Sequence, residues 1–138
     1  MKRTKISQGK KKSTEAKVSG SKSTVTGNWL YLLNIKTDIR QVQKELESFG
    51  YRTEIWEEAG VLEMECKEGV SIDFEAADLN RADQSTLDFF EQNGVQSVYL
   101  VSFSTAEYET VMDIFKEIVT LQDRFFCADT EEFKPDIR

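Results

Sequence analysis

The chain has 138 residues, 39% hydrophobic and 31% charged, with one proline, two cysteines and no histidine, which fits one domain with enough apolar content for a core. The missing histidine excludes Ser-His-Asp and Cys-His nucleophile systems, His-ligated zinc and His-held haem, and two cysteines cannot make a four-cysteine zinc or iron–sulfur site within one chain. The net charge of −7 divides unevenly: residues 1–27 carry eight Lys or Arg against the single acid Glu15, or +7, leaving ten bases and 24 acids, or −14, on residues 28–138.

Residues 1–27 consist mainly of Lys, Ser, Thr and Gly, with scattered aliphatics such as Ile6, Val18 and Val25 and no aromatic. Such a stretch buries too little apolar surface to offset chain entropy, so a disordered basic arm is expected here. Its charged start is not followed by the apolar run of a secretory signal. No stretch approaches ~18 consecutive apolar residues, so neither a membrane span nor a membrane partner is expected, and a cytoplasmic location with reduced thiols is the default. Lys10, Lys11 and Lys12 are the candidate nucleic-acid contacts: lysines neutralise phosphates without reading sequence, although no interleaved aromatic offers base stacking. The other readings of the arm are a solubilising tail, or a segment that contacts an acidic domain, its own or a neighbour's.

Residues 28–138 read as a single acidic domain. The run Trp29-Leu30-Tyr31-Leu32-Leu33-Asn34-Ile35 predicts a central strand covered on both faces. Thr37 or Asp38 then caps a helix whose stripe is Ile39, Val42, Leu46 and Phe49, with Gly50 as its left-handed terminator.

Three short strands follow. Leu62, Met64 and Cys66 alternate with Glu63, Glu65 and Lys67, and Val70, Ile72 and Phe74 alternate with Ser71, Asp73 and Glu75. A loop through Gly69 pairs Cys66 with Val70, Met64 with Ile72 and Leu62 with Phe74, so all six apolar side chains share a face. A two-residue Ala59-Gly60 turn would then pair Ile55 with Met64. In that register Trp56, Glu63 and Asp73 form one outward row, and Glu54, Glu65 and Ser71 the next.

Farther along, Asp83 or Ser85 starts a short helix ending at Asn93-Gly94, and Val95–Phe103 is a second buried strand. Ser104-Thr105-Ala106-Glu107 has the form of a capping box and opens a helix expected over about Thr105–Gln122. Arg124–Ala128 reads as a short last strand, and Asp129–Arg138 as an irregular tail. The expected fold is α+β: one mainly antiparallel sheet, in the order β-α-β-β-β-α-β-α, packed on two to three helices. The two apolar strands lie side by side at its centre in a split β-α-β arrangement.

Catalytic constellations are thin. Cys66 and Cys127 read as structural thiols, Ser102 and Ser104 lack a nucleophile elbow, and the seven glycines are scattered rather than gathered into a phosphate cradle. The informative feature is the outward meander face, where Trp56 stands among Glu54, Glu63, Glu65 and Asp73. Its ordinary reading is a solvated acidic surface. Its functional reading is an aromatic anchor ringed by carboxylates that docks a basic protein surface. In composition alone the chain resembles small acidic accessory proteins such as toxin-neutralising immunity proteins, which implies a non-enzymatic inhibitor-like module without a cofactor. The alternatives are a small hydrolase or nuclease using a divalent metal on Glu63, Glu65 and Asp73, and a nucleic-acid-associated protein acting through its arm.

Overall fold

The structure is a computed structural model that describes residues 25–66 and 69–138. Lys10, Lys11 and Lys12, with nearly all of the expected arm, lie outside the described residues. The order of elements is β1 (Asn28–Leu33), α1 (Ile39–Glu47), β2 (Arg52–Trp56), β3 (Val61–Glu65), β4 (Ser71–Ala76), α2 (Gln84–Gln92), β5 (Ser97–Phe103), α3 (Tyr108–Ile118), β6 (Arg124–Ala128) and β7 (Asp136–Ile137). The strands form one sheet in the order β2-β3-β4-β5-β1-β6-β7, antiparallel at every pairing, and the fold is α+β.

Local sequence explains the helix boundaries. Asp38 accepts from the Gln41 amide at 2.9 Å and so caps α1, and Asp83 caps α2 through the Thr86 amide at 3.0 Å. Gly50 and Gly94 follow these helices at φ values of 94° and 66°, which L side chains rarely adopt.

Alternation then sorts the strands into two faces. On one face Trp29, Tyr31, Leu33, Met64, Phe74, Val101 and Phe126 pack beneath Val42 and Leu46 of α1 and Val111, Phe115 and Ile118 of α3. Its aromatic spine runs from Trp29 to Phe115 at 5.4 Å, from Phe115 to Phe126 stacked at 3.8 Å, and on to Tyr31 at 4.5 Å. Each such side chain contributes about 1.5–3 kcal/mol through burial. On the other face Leu30, Leu32, Val98, Phe125 and Cys127 pack beneath Phe90 of α2 and Phe133. That second layer covers β5, β1 and β6. Over β2, β3 and β4 the same face carries mostly polar, partly exposed side chains.

Four expectations need correction. The two apolar strands are neighbours at the centre, but they are antiparallel, which rules out the split β-α-β arrangement. The Asp129–Arg138 tail is not wholly irregular, because β7 pairs with β6 through Phe126–Ile137 and Cys127–Asp136. The helix expected over Thr105–Gln122 is α-helical only over Tyr108–Ile118, with single 3₁₀ turns at Thr105–Glu107 and Val119–Leu121. At its start the Ser104 hydroxyl accepts from Ala106 rather than from Glu107, whose amide goes to the Ser104 carbonyl, so the turn tightens to 3₁₀.

The fourth correction bears on the candidate site. β3 and β4 pair as expected, with Leu62 opposite Phe74 and Met64 opposite Ile72. Ile55, however, lies opposite Leu62, not Met64. The connection is the four-residue loop Glu57-Glu58-Ala59-Gly60, in which the Trp56 carbonyl accepts from both the Ala59 and Gly60 amides. The shift is two residues, so every side chain keeps its face while each outward neighbour changes.

Candidate interaction face

Register sets which outward side chains meet. The row through the middle of the meander is Glu54, Glu63 and Asp73, continued by Ser102 of β5 and Asn28 of β1. One row toward the loop lie Trp56, Val61, Glu75 and Leu100; on the other side lie Arg52, Glu65 and Ser71. The structure therefore places Trp56, Glu54, Glu63, Glu65 and Asp73 on one face, while separating Trp56 from the row of Glu63 and Asp73 and moving Glu54 into it.

Trp56 and Glu63 are diagonal neighbours, a distance that a long aromatic side chain can span. The indole Nε1 donates to Glu63 Oε1 at 3.3 Å, and the Ser71 hydroxyl donates to Glu63 Oε2 at 3.0 Å. Glu63 is thus held from both sides, and it orients an indole that remains 52% exposed. Glu65 faces Arg52 across the strands at 3.9 Å, an exposed pair of small energetic value.

Asp73, like Glu63, is partly buried, whereas Glu54 and Glu65 are exposed. Burial, then the charges of Glu63 and Glu75, push the Asp73 carboxyl above the ordinary aspartate range. Beside it a shallow depression of about 440 Å³ is lined by Glu63, Gly69, Val70, Ser71, Asp73, Ser102, Phe103, Ser104 and Glu107. Among these described lining residues are three carboxylates and no Lys or Arg.

Two of the acids here were not among the site residues expected from sequence. Glu75 alternates with Phe74, so its outward direction was readable, and only the corrected register sets it in the row of Trp56, across Val61. Glu107 read as a capping residue, and only the turn of the chain after β5 brings it to the depression.

The thiols have an ordinary structural role. Cys66 packs at the edge of the first core, and burial, with the nearby charge of Glu65, raises its pKa to about 11, so it is protonated at neutral pH. Cys127 is buried in the second core. Among the described residues, no three of Asp, Glu and Cys gather closely enough to hold a metal ion, so Glu63, Glu65 and Asp73 are not brought together as a ligand set. No described helix is long and apolar enough to cross a membrane.

Compared with known proteins, the chain matches no family model, no curated protein and no solved structure. The functional reading therefore rests on this face.

Proposed function

We propose that the chain is a non-enzymatic interaction module whose acidic sheet face binds a basic surface on a protein partner, in the manner of an inhibitor or immunity protein. The observation that carries this reading is Trp56: a large aromatic, half exposed, hydrogen-bonded to the central carboxylate of the Glu54–Glu63–Asp73 row. Like charges set directly opposite one another work against sheet stability, by up to about 1 kcal/mol per pair. A basic partner would relieve that repulsion, and the indole would supply the apolar contact that charge alone lacks. Carboxylates at strand spacing resemble a run of phosphates, so a nucleic-acid-binding surface is the natural class of partner. Long-range attraction would make association fast and salt-sensitive.

The test uses poly-L-lysine as the probe, followed by Trp56 fluorescence and amide chemical shifts. Binding should be saturable, confined to the face, and weakened at least about tenfold by E63K/D73K. W56A should weaken it further at high salt, where the apolar contact dominates. E91K/E131K changes the net charge equally at exposed positions elsewhere and should leave the binding near wild type. Equal loss in E63K/D73K and E91K/E131K would reduce the effect to net charge and overturn the reading.

A further inference from the structure

The sequence contains a basic segment of its own, and the fold shows where that segment leaves. The Phe103 amide donates to the Gly27 carbonyl at 3.0 Å, and a Cβ on Gly27 would stand 2.2 Å from the Phe103 carbonyl oxygen. The Trp29 indole holds the Thr26 carbonyl at 3.1 Å. These contacts pin residues 26–29 against the end of β5, and Phe103 and Ser104 form part of the wall of the acidic depression. The described chain therefore begins beside the rim of the depression, not at a remote part of the surface.

We propose that residues 1–24 dock in this depression and on the adjoining Glu63–Asp73 row, so that the chain screens its own acidic face and an outside partner must displace the segment. Charge complementarity favours this occupant: the segment has eight Lys or Arg against one acid, and the depression presents Glu63, Asp73 and Glu107. Reach permits it. Asn28, Ser102, Asp73 and Glu63 stand in one cross-strand row. Strands are ~4.8 Å apart, so Glu63 is ~14 Å from the start of β1. Lys22 lies five residues before Gly27, and at ~3.3 Å per extended residue it spans that distance, with Lys17 and Lys10–Lys12 able to follow.

A short tether holds such a segment at an effective concentration in the millimolar range, so even weak lysine–carboxylate contacts are substantially populated. An outside partner then binds with an affinity reduced by the fraction of chains whose face is open.

The inference rests on the proposed reading of this face as a site for basic surfaces, and two separate readouts judge the two ideas. The variant is K10Q/K11Q/K12Q/K17Q/K22Q in the full chain, which removes the lysines without adding carboxylates that would themselves bind poly-L-lysine, all changes lying outside the described fold. If the segment docks, this variant shifts the amides of Glu63, Ser71, Asp73, Ser102 and Phe103 and the indole of Trp56. High salt moves the wild-type spectrum toward the same positions. Dilution leaves the wild-type shifts unchanged, because the contact is intramolecular. Poly-L-lysine binds the variant about threefold to tenfold more tightly than the wild type.

Coincident spectra for variant and wild type would overturn the inference, as would shifts that vanish on dilution, which would assign the contact to a neighbouring copy. Failure of poly-L-lysine to bind the variant at all would instead overturn the reading of the face.

Discussion

Arg124 of β6 and Glu45 of α1 form an ion pair at 2.7 Å, with the guanidinium side chain only 4% exposed. The same Nη1 donates to the Tyr31 hydroxyl of β1 at 2.9 Å, and Nε donates to the Gln122 carbonyl. One guanidinium thus ties the central strands to the helix that covers them and closes the turn before β6. Burial works against its charge, and the hydrogen bond and charge of Glu45 with the Tyr31 hydroxyl more than restore it.

Removing one member of such a pair leaves a buried charge short of partners. E45A is expected to destabilise the fold by about 2–3 kcal/mol in urea unfolding. R124M/E45L should lose less than the sum of its single variants, because it removes both charges together. Additive losses would show that the two residues act independently.

The four tyrosines share a shifted titration. Burial raises Tyr31 to about 12, against the opposing effect of Arg124, and burial also raises Tyr51, Tyr99 and Tyr108. For Tyr51 the hydrogen bond to Glu117 adds to the shift. A phenol whose pKa is higher in the folded state holds its proton more tightly there. Its contribution is fully present below the ordinary value of about 10 and is lost as pH rises through the folded value. Absorbance titration of the native chain should therefore show well under half of the phenols ionised at pH ~10, and stability should fall steeply above that pH. Y31F should make the fall shallower. A native titration curve that overlays the urea-unfolded curve would contradict this account.

Asp73 gives the opposite end of the pH scale. Its carboxyl is raised by burial and by Glu63 and Glu75. The folded state therefore binds this proton more tightly than the unfolded one, and the unfavourable contribution present at neutral pH is relieved as pH falls through the folded value. D73N should stabilise the chain at pH 7 by up to about 1 kcal/mol, the scale of one directly opposed like-charge pair. The gain should shrink toward acid pH, where Asp73 is protonated, and the same variant should weaken poly-L-lysine binding. A thermal scan in which D73N is less stable than wild type at pH 7 would show that the carboxylate is structurally favourable instead.

The sequence carried the meander's parity but not its full register. Leu62, Met64, Ile72 and Phe74 can face the core only if Glu63, Glu65 and Asp73 face away, so the acidic face was legible from alternation. Moving β2 along β3 by two residues preserves that alternation, so hydrophobic pattern has no power to choose between the registers. Backbone turn geometry decided it, through the paired hydrogen bonds to the Trp56 carbonyl. The C-terminal edge was hidden for a different reason. β7 is two residues long, too short for any alternation, and its partner β6 is buried on both faces. Glu107 joins the site through tertiary placement alone.

Gly27 provides the most local test of how the fold meets its N-terminal segment. A Cβ there would meet the Phe103 carbonyl oxygen at 2.2 Å and Thr105 Cγ2 at 3.4 Å, and the closer of these is backbone, which cannot rotate away. G27A must therefore push the chain off the end of β5 or strain that strand. Either outcome weakens the hydrogen bond from the Phe103 amide to the Gly27 carbonyl. Overpacking of this kind costs about 1–3 kcal/mol where the surroundings are rigid and less where a chain end can move aside. The expected result is faster amide exchange at Phe103 with a loss of stability toward the low end of that range. The amides of Met64 and Ile72, deep in the meander, should keep wild-type protection. If the segment takes its direction from this contact, G27A also moves the Ser102 and Asp73 amides toward their positions in K10Q/K11Q/K12Q/K17Q/K22Q. Unchanged Phe103 exchange would mean that the extra methyl is accommodated and that the exit of the chain is not fixed by Gly27.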